Sequence, residues 1–237
     1  MLGLTDRAAF FRFIGLDEQT AIRLYQEWRA VVVRSGVSQQ NRQIVALNAV
    51  TGRAWVTLDT FTEKDRGVAR RNLRRGEFTH DAEEWYGFTP AGLPVTFLSD
   101  NKGNRISSAP DKIGPDDSAL RVGRDARIHV NISCLRCHGG SDQLKDVADW
   151  ARKTFARKDA VLSFQDPDKR VTLELRRQYL SDLNWTLKRD REKYVHRIKL
   201  ATGLTSSAIA TAYGKYWNRY VEDPVTLKDA ALELSVT

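Results

Sequence analysis

Sulfur is scarce in this chain of 237 residues: two cysteines and one methionine. The cysteines, Cys134 and Cys137, lie three apart, so they cannot staple the fold as a disulfide framework would. Stability must come from an apolar core, and a chain of this length can bury a substantial one. The sole methionine is Met1, at a terminus. Chemistry that needs an ordered internal thioether is thereby nearly excluded. Long apolar runs are missing too. The longest near the start, Ala30-Val31-Val32-Val33, falls far short of the ~20 residues a membrane helix needs, so no membrane span is expected. Met1 leads straight into Leu-Gly-Leu-Thr-Asp-Arg, with no basic region followed by an apolar one. Internal repeats and low-complexity tracts are absent as well.

What is present is charge. Net charge is +8 and hydrophobic residues make up 41% of the chain, the balance of a soluble globular protein. The excess is partly local: Arg66, Arg70, Arg71, Arg74 and Arg75 crowd together. A basic surface favours acidic partners, nucleic acid or anionic groups, or it is a solvated helix face. Aromatics do not interleave with the basic run and no nucleic-acid motif accompanies it, so no specific nucleic-acid partner is expected.

Periodicity sketches the elements. Residues 5–34 read as helical, with Thr5 and Asp17 as N-caps and Ala21, Leu24, Tyr25, Trp28, Val31 and Val32 on one face. Two β-like runs, Gln43–Leu47 and Ala54–Leu58, flank the hairpin loop 48–52. A second hairpin joins Glu84–Phe88 to Pro94–Ser99 through Thr89-Pro90-Ala91-Gly92, and 100–104 is a strong turn. Residues 107–127 read as a long irregular connection. Helices are expected at about 144–155, 170–181, 185–202, 206–221 and 226–235, the last opened by Thr226 and Asp229. The expected fold class is α+β and mainly α-helical, with small β-hairpins in the N-terminal half. The expected domain is one unit, 1–237, with sub-parts 1–120 and 121–237.

The chemistry concentrates in Ser133-Cys134-Leu-Arg-Cys137-His138-Gly-Gly. Two thiols separated by two residues can add across the two vinyl groups of a haem as thioethers. The next residue, His138, then falls beneath the iron. Its other ring nitrogen should donate to a carbonyl. Gly139 and Gly140 let the backbone pass close to the porphyrin. Other uses of CxxC stay open. Zinc would need further ligands, and no second CxxC or paired His completes a set. A thioredoxin-like dithiol would follow a strand and open a helix, and would leave His138 unexplained.

The reading is therefore one covalent haem c, with Cys134, Cys137 and His138 as cofactor-binding residues and His138 on the iron. With Met1 alone, His/Met ligation is nearly excluded. His80, His129 and His196 remain as sixth ligands, and Lys or Tyr also stays open. The face Leu144, Val147, Ala151 and Phe155, with Trp150 nearby, is a candidate haem wall or ordinary core. Arginines could bind the propionates.

Several short stretches carry a resemblance. Ser35-Gly-Val-Ser-Gln-Gln-Asn-Arg42, Trp55 to Phe61, and Phe78-Thr-His80-Asp-Ala-Glu-Glu84 are three of them. Pro90-Ala-Gly-Leu93, Phe97 to Arg105, Ala109-Pro110, Asp190 to Tyr194 and Ala230 to Leu234 complete the set. Together they resemble the planctomycete-type cytochrome c proteins that carry one CxxCH in mid-chain. The likeness spans about 10–236 and departs from the pattern at Ala82, Glu83 and Ala91. It implies a single unit built around one haem and favours His80 as distal metal ligand; the mid-chain motif and the lack of a later Met set the chain apart from the small class I cytochrome fold.

Three functions follow. The first is a bis-His monohaem electron-transfer protein whose basic face docks an acidic redox partner protein. The second is a five-coordinate haem enzyme or sensor. The third is a non-haem basic interaction module. Haem attachment of this type belongs to the exported side of a bacterial membrane. A periplasmic location is therefore expected, with a signal removed or upstream.

Overall fold

The computed structural model describes residues 3–24, 27–32, 41–60, 78–110, 127–130, 133, 183–217 and 226–233. It opens with two short helices, α1 (Arg7–Ile14) and α2 (Glu18–Arg23). Asp6, rather than Thr5, caps α1 by accepting from the Ala9 amide at 2.7 Å, and Asp17 caps α2 by accepting from Thr20 at 2.9 Å. Five strands follow: β1 (Glu27–Val32), β2 (Arg42–Ala49), β3 (Gly52–Asp59), β4 (Ala82–Phe88) and β5 (Pro94–Asp100). They form one antiparallel sheet in sequential order. Three helices complete the described chain: α3 (Leu183–Thr202), α4 (Ser206–Trp217) and α5 (Leu227–Glu233).

The expectation of a mainly helical chain is overturned. The two hairpins are not small appendages; β3 pairs with β4 and joins them into one sheet. Residues 27–32 are a strand, not the end of a helix through 34. The apolar spacing of Trp28, Val31 and Val32 suits either period, but β-branched and aromatic side chains favour the pleated surface. Pairing with β2, from Glu27↔Leu47 to Val32↔Arg42, settles the choice. The expected helices at 144–155 and 170–181, and the arginine cluster 66–75, lie outside the described residues.

Strand alternation gives the sheet two covered faces. On one, Val45, Leu47, Ala54, Val56, Trp85, Val95 and Phe97 pack against Phe10 and Ile14 of α1 and Ala21 of α2. Phe10 stacks on Phe97 at 5.3 Å between centroids, and Phe11 meets Trp85 edge-on at 4.8 Å. Gly87 lets α1 approach: a Cβ there would stand 3.2 Å from Ile14 Cγ2 and 3.3 Å from Phe10 Cζ. On the other face, Ala30, Ile44, Ala46 and Trp55 pack against Leu183 and Leu187 of α3. Farther along α3, Tyr194 and Ile198 pack with Phe88 and with Ile209 of α4.

A polar contact fixes α3 on this face. Asp190 is buried, accepts from the Trp55 indole N–H at 2.8 Å and pairs with Arg53 at 3.0 Å. Arg53 in turn lies 5.0 Å over the Trp28 ring.

Beyond β5 the chain turns at 100–104, where Asp100 accepts from the amides of Lys102 and Asn104. It then returns along the strand, with Ser99 bridged to Arg105 and the Ile106 amide on Leu98 O at 3.0 Å. Residues 107–109 next pair with 128–130 through the Ser108↔His129 bridge. Ser133 ends this run. It is buried, its amide donates to His129 O at 3.0 Å, and its hydroxyl accepts from the His129 amide at 3.1 Å.

Candidate functional site

Cys134, Cys137 and His138 lie outside the described residues, directly after the anchored Ser133. Of the other histidines, His129 sits in the 107–130 pairing and His196 is exposed on α3. His80 precedes β4 and joins a densely bonded charged cluster. No group of three or more His, Cys, Asp or Glu side chains among those residues is arranged to hold a metal ion.

The centre of the cluster is Glu83, a residue not singled out from sequence except as a departure from the family pattern. Alternation along β4 turns Glu83 to the same face as Trp85, and the β4–β5 register sets it opposite Ser99. α1 brings Arg7 over the same position. Its start is tied to the 100–104 turn by the Asp6↔Asn104 bridge and by the Arg7 amide on Gly103 O at 2.8 Å. Gly103 has φ of 85°, and a Cβ there would come within 3.1 Å of Arg7 Cβ.

Glu83 is 1% exposed, and both carboxylate oxygens carry two donors. Oε1 takes the Arg7 guanidinium and, at 2.9 Å, His80 Nε2. Oε2 takes the Trp85 indole N–H and the Ser99 hydroxyl, each at 2.9 Å. Burial alone would raise the Glu83 pKa. Hydrogen bonds from His80 and Trp85, the Arg7 charge and the Ser99 hydroxyl outweigh it and hold the carboxyl below its ordinary value.

An ionised carboxylate only accepts, so Nε2 of His80 carries the proton toward Glu83. In its neutral form the imidazole then keeps its lone pair on Nδ1. A carboxylate that fixes the ring through one nitrogen is the usual outer partner of a metal-bound histidine. His80 therefore fits a ligand role through Nδ1, while the nitrogen at its outer edge is committed.

Neighbouring rows of the sheet are also polar. On the opposite face Arg42 grips Asp59 bidentately at 2.7 and 3.0 Å. Burial pushes the Asp59 carboxyl up, against the pull of Arg42; burial also opposes the Arg42 charge, which Asp59 and Glu84 nevertheless hold in place. On β1, Arg29 bonds Glu27 at 2.8 Å and Gln43 at 3.0 Å, all three buried. Buried Asn41, Gln43, Asp59, Thr60, Glu83 and Ser99 thus gather at one end of the sheet. From that end the chain leaves toward 33–40 and toward the arginine-rich 61–77.

The pairings at Glu83 had one local signal, the three-residue spacing from His80 to Glu83. Arg7 and Ser99 are distant in sequence and gave none. No protein-family model matches the chain, and neither a curated protein nor a solved structure matches it.

Proposed function

We propose that this protein is a monohaem c-type cytochrome that transfers electrons on the exported, periplasmic side of a bacterial membrane. The observation that carries the reading is the spacing Cys134-Leu-Arg-Cys137-His138. It supplies two thiols for thioether attachment and an imidazole for the iron in one turn of chain. Haem, when bound, supplies a one-electron couple. The protein's own part is to hold His138 and to set the surroundings of the iron.

His80 is the proposed sixth ligand. Its support is the Glu83 hydrogen bond, which fixes the orientation of the ring as a carboxylate beside a metal-bound histidine does. Arg7, Trp85 and Ser99 hold that carboxylate in turn. The likeness to mid-chain CxxCH cytochromes agrees with one unit, 1–237, around one haem. It also agrees with a packed core in which α3, from the C-terminal half, closes one face of the N-terminal sheet.

One observation favours a second reading. Nε2 of His80 is committed to Glu83. If Nδ1 does not reach the iron and no other side chain does, the haem is five-coordinate, and the His80–Glu83 pair, with its lone pair at Nδ1, is a distal general base for a peroxide or gas-binding site. Carbon monoxide separates the two. Reduced bis-His iron binds it slowly or not at all, whereas a five-coordinate iron binds it at once.

A pyridine haemochrome spectrum tests the main reading, on protein made with a c-type haem maturation system and repeated after acid–acetone extraction. A single α-band that stays with the protein is the expected result. Haem that extracts away, or no band, overturns the covalent assignment, and the CxxCH then has to serve as a metal or dithiol site.

A further inference from the structure

Helix α3 has two faces with different duties. Leu183, Thr186, Leu187, Asp190, Tyr194 and Ile198 are buried against the sheet and α4. At ~100° per residue, the opposite side presents Trp185, Lys188, Arg189, Glu192, Lys193, His196, Lys199 and Leu200, all exposed. The Asp190 contacts with Arg53 and Trp55 fix the rotation of the helix about its axis, so this outer stripe is held in one orientation.

The stripe is chemically unusual for solvent. Trp185 is 57% exposed and Leu200 67%, about 22 Å apart along the helix. Arg189 covers the Trp185 ring at 4.7 Å. Four cations, Lys188, Arg189, Lys193 and Lys199, face out against one anion, Glu192. Exposed tryptophan beside arginine is the composition of an interface hot spot.

We propose that this outer face of α3 docks a carboxylate-rich surface of a partner protein, with Trp185 as its apolar anchor. The partner's being a redox protein rests on the cytochrome reading; the surface chemistry stands without it. A membrane surface fits less well, because an interfacial helix inserts its apolar face and α3 has already spent that face on the sheet. Single-stranded nucleic acid fits less well, because it stacks successive bases on several aromatics and here Trp185 stands without another aromatic in the stripe.

The test uses the full chain and a fluorescent peptide of glutamates interspersed with leucines, followed by anisotropy. Binding should weaken as salt rises. Lys188→Glu with Lys193→Glu should weaken it ~10-fold or more, and Trp185→Ala several-fold. Arg12→Glu with Arg23→Glu, on the helices of the opposite face, should change it less than about 2-fold. If the charge reversal on α3 lowers thermal stability, Lys188→Gln with Lys193→Gln replaces it and should still weaken binding. The proposal is overturned if both sets of variants act equally, or if none acts. It is equally overturned if single-stranded DNA or phosphatidylglycerol vesicles bind through the same residues more tightly than the peptide. Peptide binding by protein that takes up no haem from a c-type maturation system would keep this proposal and remove the cytochrome reading. A haem-loaded protein that ignores the peptide would do the reverse.

Discussion

Glu83 accepts from four donors while almost wholly buried, so removing its charge should be felt at once. Glu83→Gln keeps the shape but leaves Arg7 facing a neutral amide and gives the buried site surplus N–H donors. A loss of about 3 kcal/mol is expected from urea unfolding at neutral pH. The pH dependence follows from the lowered pKa. The unfolded chain binds a proton more readily than the folded one, so the stability from Glu83 is fully present above the ordinary carboxylate range. It is lost as pH falls through the lower folded value. The wild-type urea midpoint should therefore fall more steeply on acidification than that of Glu83→Gln; parallel profiles would show that Glu83 is not held ionised by its partners. At this scale the sequence was a partial guide. His80 stood out as one of four histidines, but the carboxylate that orients it sits at Glu83, where the resembled pattern has glycine. Its other partners arrive through the β4–β5 register and the seating of α1, neither of which is local.

At the scale of elements, turn chemistry was the clearest signal. The Val50-Thr51 and Thr89–Gly92 turns and the Asp100 turn were readable because Gly, Pro, Asn and Asp set backbone geometry within a few residues. β1 was not readable, since its side chains fit a helical stripe nearly as well as a strand and only pairing with β2 decides. Nor could the sequence show that β3 and β4, separated by 60–81, lie side by side.

Two substitutions test the packing of these elements. Gly87→Ala places a methyl against Ile14 and Phe10 and should cost about 1–3 kcal/mol by displacing α1. Thermal unfolding measures it, and an unchanged midpoint would mean that α1 is seated more loosely than described. Asp190→Ala strands Arg53 and the Trp55 indole in a mostly buried setting and should cost about 3 kcal/mol. Hydrogen exchange should then speed up along α3 more than in β2 and β3. Uniform acceleration would argue against a latch specific to that helix.

For the whole molecule, the net charge of +8 and the basic outer stripe of α3 would make the proposed association with an acidic partner sensitive to ionic strength. Buried Asn41, Gln43, Asp59, Thr60, Glu83 and Ser99 gather at one end of the sheet. Of the residues just before the CxxCH, 128–130 pair with 107–109, and Ser133 is hydrogen-bonded to His129. No described helix is long and apolar enough to cross a membrane. Periodicity misjudged the balance of helix and strand, because the apolar spacing of β1 also fits a helix and the β3–β4 pairing that joins the two hairpins leaves no local trace.

The central claim is covalent haem attachment, and intact mass reads it directly. Protein made with a c-type maturation system should weigh the polypeptide plus one haem with nothing lost, because each thiol adds across a vinyl group. Cys134→Ala with Cys137→Ala should weigh the polypeptide alone. A wild-type chain found at polypeptide mass, under conditions that mature a known c-type cytochrome, would contradict the account.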